Sequence, residues 1–205
     1  MIQDIEVELR GLLTDEQYDH LDSKLSERSE LKEEKYRILL DYSTFLPGEG
    51  IENRKKDIRI RVTNGIPEIV VKLGSWGGSE SRRELSFKGS PGSFDTLVEI
   101  FGHLGFTKAV LCERRTKAYD YKGIEFALVE VPGHSHYFEA EMMAHGETDL
   151  VQTEREIREV CDELGLSVMN KEEFFRYIDT LNKEANSVFE FESNTPNRFK
   201  DEFGV

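Results

Sequence analysis

Ile5-Glu6-Val7-Glu8-Leu9-Arg10 decides how the chain is read. Successive side chains of a strand point to opposite faces, so Ile5, Val7 and Leu9 fall on one face and Glu6, Glu8 and Arg10 on the other. A strand with one wet side carries the same pattern, and repetition is what separates the two readings. Arg59 and Arg61 share a face of Ile58-Arg59-Ile60-Arg61-Val62, Lys72 ends the apolar run Ile69-Val70-Val71, and Arg82 shares a face with Glu84. Further on, Arg115 shares a face with Lys117 and Glu139 with Glu141, while Glu130 is the isolated polar residue within Leu128–Val131.

Paired carboxylates thus stand on the first and last strands and basic residues on the middle ones. Closing the sheet would bring the acids opposite the bases, whereas ordinary surfaces intersperse the two signs. Carboxylates alone repel a polyanion such as a phosphate compound. Hard divalent cations such as Mg²⁺ remove that repulsion by bridging carboxylate and phosphate oxygens, and Arg and Lys neutralise the oxygens that remain.

Period-two patterns occupy the first two thirds of the chain and patterns near 3.6 the last third. They predict strands over Gln3–Arg10, Lys35–Phe45, Asp57–Thr63, Glu68–Leu73, Ser81–Lys88, Thr107–Tyr121, Ile124–Val131 and Tyr137–Met143. Helices are predicted over Asp15–Glu27 behind a Thr14 cap, Ser93–Leu104, Asp149–Leu164 with a stop at Gly165, and Lys171–Glu184 behind Asn170. Asn64-Gly65 marks a tight hairpin, and the Gly-rich Gly74–Ser79, which holds Trp76, a flexible connection. The fold class that follows is α+β: an eight-stranded antiparallel β-barrel, or tunnel, with flanking helices. One domain is expected over residues 1–185. The tail, 186–205, is flexible or docked, and its Val188, Phe189 and Phe191 could form an edge strand.

The 205 residues carry 27 Lys and Arg against 41 Asp and Glu, a formal net charge of -14, which argues against a nonspecific nucleic-acid binder. No apolar run reaches the roughly 20 residues of a membrane helix, and the N-terminus lacks signal-peptide features, so a cytoplasmic location and no membrane partner are expected. Cys112 and Cys161 have no metal-ligand spacing and read as buried thiols. His134-Ser135-His136 follows a Pro-Gly turn; its spacing suits either a transition metal or an ordinary exposed loop. Neither a P-loop nor a nucleophile elbow occurs.

The charged strands, in this order, resemble the CYTH superfamily of triphosphate tunnel metalloenzymes, which includes class IV adenylyl cyclases, thiamine triphosphatases and inorganic tripolyphosphatases. The resemblance spans Ile2 to about Leu181 and rests on Glu6-Val7-Glu8-Leu9-Arg10, Arg59-x-Arg61, Lys72, Arg82-x-Glu84, a basic strand, and Phe138-Glu139-Ala140-Glu141. It implies a tunnel that binds a small-molecule triphosphate with Mg²⁺ or Mn²⁺. Glu6, Glu8, Glu139 and Glu141 would be metal ligands and catalytic residues. Arg10, Arg59, Arg61, Lys72 and Arg82 would contact phosphate, with Glu84 orienting its neighbours and Arg115 and Lys117 completing the set. In the implied reaction one cation organises the triphosphate, and a second cation or a carboxylate prepares a water for in-line attack.

Three positions depart from the family pattern. Arg10 stands where the family has Lys, and an Arg does not act as a base. Val129 stands where the family usually has Asp, with Glu130 beside it. The strand Glu113-Arg114-Arg115-Thr116-Lys117 fits in more than one register, which leaves Arg114 as an alternative to Arg115 with Lys117. The expected activity is metal-dependent hydrolysis of tripolyphosphate, a nucleoside triphosphate or thiamine triphosphate. A class IV-like adenylyl cyclase and a non-catalytic polyanion-binding protein are the alternatives, and the oligomer is either a monomer or a homodimer.

Overall fold

The computed structural model describes residues 4–49, 53–74 and 83–205. Within them the chain forms β1 (Asp4–Leu13), α1 (Asp15–Arg28), β2 (Glu30–Asp41), β3 (Lys56–Thr63), β4 (Ile66–Leu73), β5 (Arg83–Lys88) and α2 (Phe94–His103). There follow β6 (Lys108–Tyr121), β7 (Ile124–Val131), β8 (Ser135–His145), α3 (Leu150–Leu164), α4 (Lys171–Glu184), β9 (Ser187–Glu190) and α5 (Arg198–Phe203). The pairings β1–β8, β7–β8, β6–β7, β2–β3, β3–β4 and β4–β5 are all antiparallel. This is the predicted α+β class, an eight-stranded antiparallel sheet with flanking helices, to which β9 is added. Among the described residues, no helix is long and apolar enough to cross a membrane.

Two compact units divide the chain, and β2 and β6 each contribute to both. Of the described residues, the first unit takes 4–35 and 114–179, with strand order β1-β8-β7-β6. Its core is built from Val7 and Leu9 of β1, Leu21 and Leu25 of α1, Phe126 and Leu128 of β7, Phe138 and Ala140 of β8, and Ile157 and Cys161 of α3. The capping is local. Thr14 Oγ1 accepts from Gln17 N and Gln17 Oε1 from Thr14 N, Asn170 Oδ1 accepts from Glu172 N and Glu173 N, and Gly165 ends α3 at φ 76°.

The second unit takes 36–49, 53–74, 83–113 and 180–205, with strand order β2-β3-β4-β5 and β9 paired to the start of β6. Ile38, Leu40, Ile60 and Val62 face Phe94, Val98 and Phe101 of α2, with Phe189 and Phe199 in the same core. Residues after 185 therefore form β9 and α5. Asp95 fixes α5 by accepting from Phe199 N and Lys200 N. At the β3–β4 hairpin, Asn64 and Gly65 both take positive φ, 48° and 78°, as a type I′ turn requires.

One predicted strand shifts. Lys35–Phe45 is observed as Glu30–Asp41, followed by a 3-10 turn over Ser43–Phe45. The polar start, Glu30–Glu34, has no alternation to mark it; β2 neighbours β6 in the sheet, and there Lys32 meets Asp120 at 3.3 Å and Glu125 at 3.4 Å. The end curls because side chains capture the backbone: Asp41 Oδ1 accepts from Ser43 N and Ser43 Oγ from Ile58 N. Trp76 and its Gly-rich connection lie outside the described residues.

Candidate functional site

On the first unit, the alternation of β1 sends Val7 and Leu9 into the core and Glu6, Glu8 and Arg10 to the other face. Antiparallel register sets Glu8 opposite Glu141 and Arg10 opposite Glu139, and residues directly opposite share a face. Ligand oxygens of Glu6, Glu8 and Glu141 all lie within 4.8 Å of one another, Glu8 being buried and the other two half-buried. Among the described residues this is the one such group of three or more metal-binding side chains. Three carboxylates this close repel one another. An all-oxygen donor set of that charge fits a hard divalent cation rather than a softer metal.

The fourth predicted ligand, Glu139, is engaged by arginine. Its Oε1 accepts from Arg10 Nε at 3.0 Å, while Arg10 also donates to Glu8 Oε2 at 2.7 Å. The Arg10 guanidinium lies 5.1 Å from the centre of the Phe174 ring and borders a recess of about 150 Å³ shared with Arg158 and Lys171. Arg10 is thus a clamp between two carboxylates, which an Arg sustains because its fork offers several donors at fixed angles.

Register overturns one expectation and resolves two ambiguities. Thr116 pairs with Val129 and Ala118 with Ala127, and on β8 Val129 pairs with Tyr137 and Ala127 with Glu139. Hence Arg114, Thr116 and Ala118 share the carboxylate face. Arg115 and Lys117, opposite Glu130 and Leu128, lie on the other one. Arg115 reaches Glu130 at 3.5 Å, and Lys117 reaches Asp22 of α1 at 2.6 Å, which also accepts from Tyr119 Oη at 2.6 Å. The Asp22 hydrogen bond raises the Lys117 pKa against the opposing effect of burial. Lys117 braces α1, and Arg115 ties β6 to β7 on the back of the sheet. Glu130 stands with them, so it does not replace the missing family Asp; Val129 keeps that position on the carboxylate face, against Tyr137.

His136, opposite Glu130, is also on the back face. Its Nδ1 lies 3.0 Å from Asp15, and its ring packs on Tyr18 at 4.3 Å, whereas His134 bonds to Ser135. Cys112 and Cys161 are buried and form no disulfide, and burial pushes the Cys161 thiol up to about 12.

On the second unit, Arg59 and Arg61 of β3, Lys72 of β4 and Glu84 of β5 share the face away from the core, because Asp57 pairs with Lys72 and Lys72 with Glu84. Each cation has a carboxylate. Arg59 holds the buried Asp57 in a bidentate pair, Arg61 donates to Glu68 at 2.7 Å, and Lys72 reaches Glu84 at 3.0 Å, with Arg61 3.9 Å from Glu84. Burial would raise the Glu84 pKa, but the ammonium of Lys72 and the guanidinium of Arg61 outweigh it and hold it below its usual value. Arg54, almost fully buried, ties Asp41 at 2.8 Å to Asp57 at 3.6 Å. Arg82 lies outside the described residues.

Asp41, Arg54, Asp57, Glu68 and Glu125 escaped the sequence reading. Asp57 was within reach, since it continues the odd-numbered row of Arg59 and Arg61. Glu125 faces Glu141 across the β7–β8 pair and is met by Lys32; a single acid at the start of an apolar strand gave no signal.

A family model described as the CYTH domain matches residues 4–175. Among solved structures, the PH1819 protein of Pyrococcus horikoshii OT3 is 22% identical, over 84% of this chain and 97% of that one, with a TM-score of 0.66. A proposed adenylate cyclase from Vibrio parahaemolyticus is 17% identical, over 80% of this chain and 90% of that one, with a TM-score of 0.60. HpAC1 from Hippeastrum, a proposed adenylyl cyclase reported to have a dominant triphosphatase activity, is 16% identical, over 85% and 96%, with a TM-score of 0.53. At these identities the likeness is one of fold. No curated protein matches the chain.

Proposed function

The chain belongs to the CYTH domain family, and on that premise we propose that it is a divalent-metal-dependent hydrolase of triphosphate compounds. The observation that carries this reading is the convergence of Glu6, Glu8 and Glu141 beside the Arg10–Glu139 pair. Glu6, Glu8 and Glu141 would hold the Mg²⁺ or Mn²⁺ ion. When bound, the ion supplies charge neutralisation and Lewis-acid polarisation of a phosphoryl oxygen.

The protein's own side chains do the rest. Arg10, Arg59, Arg61 and Lys72 bind phosphate oxygens, and Arg82 joins them on the strength of its alternation with Glu84. Arg114 takes the place first given to Arg115 and Lys117, since it shares the face of the carboxylates. Glu84, Glu68 and Asp57 aim the cations before substrate arrives, and a triphosphate oxygen then competes with them for the same donors. Arg10 stays protonated throughout, so a proton released by the attacking water goes to carboxylate oxygen rather than to the residue at position 10.

A cyclase reading uses the same side chains with a ribose hydroxyl as nucleophile. The activity reported for HpAC1, a structural neighbour, supports placing hydrolysis first. The test is incubation of the pure protein with Mg²⁺ or Mn²⁺ and, separately, tripolyphosphate, ATP and thiamine triphosphate, reading phosphate, pyrophosphate and cyclic AMP. Phosphate release is the expected result. Pyrophosphate with cyclic AMP would transfer the assignment to the cyclase, and tight binding without any product would make the protein a polyanion binder.

A further inference from the structure

We propose that Lys35 of β2 is a further phosphate-binding residue of the carboxylate face, a role that rests on the triphosphatase reading and adds a residue to that same site. The register of four strands carries it. Glu8 pairs with Glu141, Glu141 with Glu125 and Glu125 with Asp120, so four carboxylates stand directly opposite one another in a single row across β1, β8, β7 and β6. Every member of the row belongs to the first unit, as does Lys35. Like charges directly opposite destabilise a sheet. At the β1 end Arg10 and the proposed cation offset them. At the β6 end lysines do so: Lys32 lies 3.3 Å from Asp120 and 3.4 Å from Glu125, and Lys35 lies 3.7 Å from Glu125.

Lys35 is the better placed of the two lysines. Its side chain is 21% exposed against 42% for Lys32. Alternation sets it on the opposite face of β2 from Glu34, whose charge acts on Lys117 and Tyr119 at the back of the sheet. Its distances to Glu125, 3.7 Å, and to Glu33, 3.5 Å, both exceed the roughly 2.7–3.2 Å of a hydrogen bond. Attraction therefore keeps the ammonium nearby without fixing its three donors, whereas Arg10 is bonded to Glu139 at 3.0 Å. A lysine is a compact charge on a flexible stem and can swing from a carboxylate to a phosphate oxygen. Cβ atoms of directly opposite residues stand about 5 Å apart, so a triphosphate drawn to a cation at Glu141 brings its oxygens beside Glu125. Glu125 by itself would repel them. Lys35 offsets that charge and donates to the incoming oxygen.

Steady-state kinetics with tripolyphosphate and Mg²⁺ test this. Lys35→Met keeps the apolar stem and removes the charge, and it is expected to raise KM about tenfold or more, as loss of a charged hydrogen bond does, with a smaller change in kcat. The double variant Lys35→Met with Glu125→Gln separates contact from charge balance. A Lys35 that only offsets Glu125 becomes dispensable once Glu125 is neutral, whereas one that binds phosphate does not. The double variant is therefore expected to keep a KM at least about fivefold above that of Glu125→Gln alone. A KM restored to the Glu125→Gln value, or a Lys35→Met KM within about twofold of wild type, overturns the role of Lys35 while hydrolysis itself stands. If the protein binds tripolyphosphate without turnover, the dissociation constant takes the place of KM. A wild type that neither hydrolyses nor binds tripolyphosphate overturns the triphosphatase reading and the role of Lys35 with it. Far-UV dichroism checks the fold, and Lys35→Gln replaces Lys35→Met should the latter fold poorly.

Discussion

Glu6, Glu8 and Glu141 sit close enough to repel one another, and Arg10 donates a hydrogen bond to Glu8. Glu6→Gln removes a ligand without changing shape. It is expected to weaken Mn²⁺ binding at least about tenfold and to abolish metal-dependent turnover, with the melting temperature held or raised as repulsion falls. Calorimetric titration with Mn²⁺ checks this, and unchanged affinity would remove Glu6 from the site. Glu84 gives a pH prediction. Its pKa is depressed on balance, so what it contributes to stability is complete above the unfolded carboxylate value of about 4.3, and is lost as pH falls through its lower folded value. A carboxyl NMR titration should place Glu84 below an ordinary glutamate, and Lys72→Met should move it upward. A midpoint above the ordinary value would contradict the pairing.

Strand register separates neighbours that composition treats alike. Arg114 faces the carboxylates and Arg115 the back of the sheet, so Arg114→Ala is expected to reduce kcat/KM about tenfold or more, as loss of a charged contact worth roughly 1.5–3 kcal/mol does. Arg115→Ala should stay within about twofold; equal losses in a steady-state assay would refute the register argument. In β1, a Cβ on Gly11 would lie 2.0 Å from the Ser167 carbonyl oxygen and 2.4 Å from Phe138 Cε1. Gly11→Ala should cost about 3 kcal/mol in chemical denaturation. Alternation makes most strands and the Glu6, Glu8, Arg59, Arg61 and Glu141 faces legible in the sequence, because a period of two is local. Arg114 was not settled, since β6 is charged on both faces and only its pairing with β7 fixes which row lies where. The early start of β2 was hidden for the same reason, its partners being acids distant in sequence.

At the scale of the whole molecule, a chain of net charge -14 is proposed to bind a polyanion. On the proposed reading the contradiction is resolved locally: acids and bases are sorted onto strand faces, and a divalent cation would offset most of the negative charge of the acidic row. The C-terminal residues matter here as structure. Phe199 is fully buried in the core of the second unit, and Phe199→Ala should cost about 3–5 kcal/mol, read from urea unfolding. The central claim is tested most directly by anomalous diffraction from a crystal soaked with Mn²⁺ and tripolyphosphate. A manganese peak at coordination distance from Glu6, Glu8 and Glu141, with phosphate density beside Arg10, is the result expected. A crystal that takes up tripolyphosphate while those three carboxylates hold no manganese would contradict it.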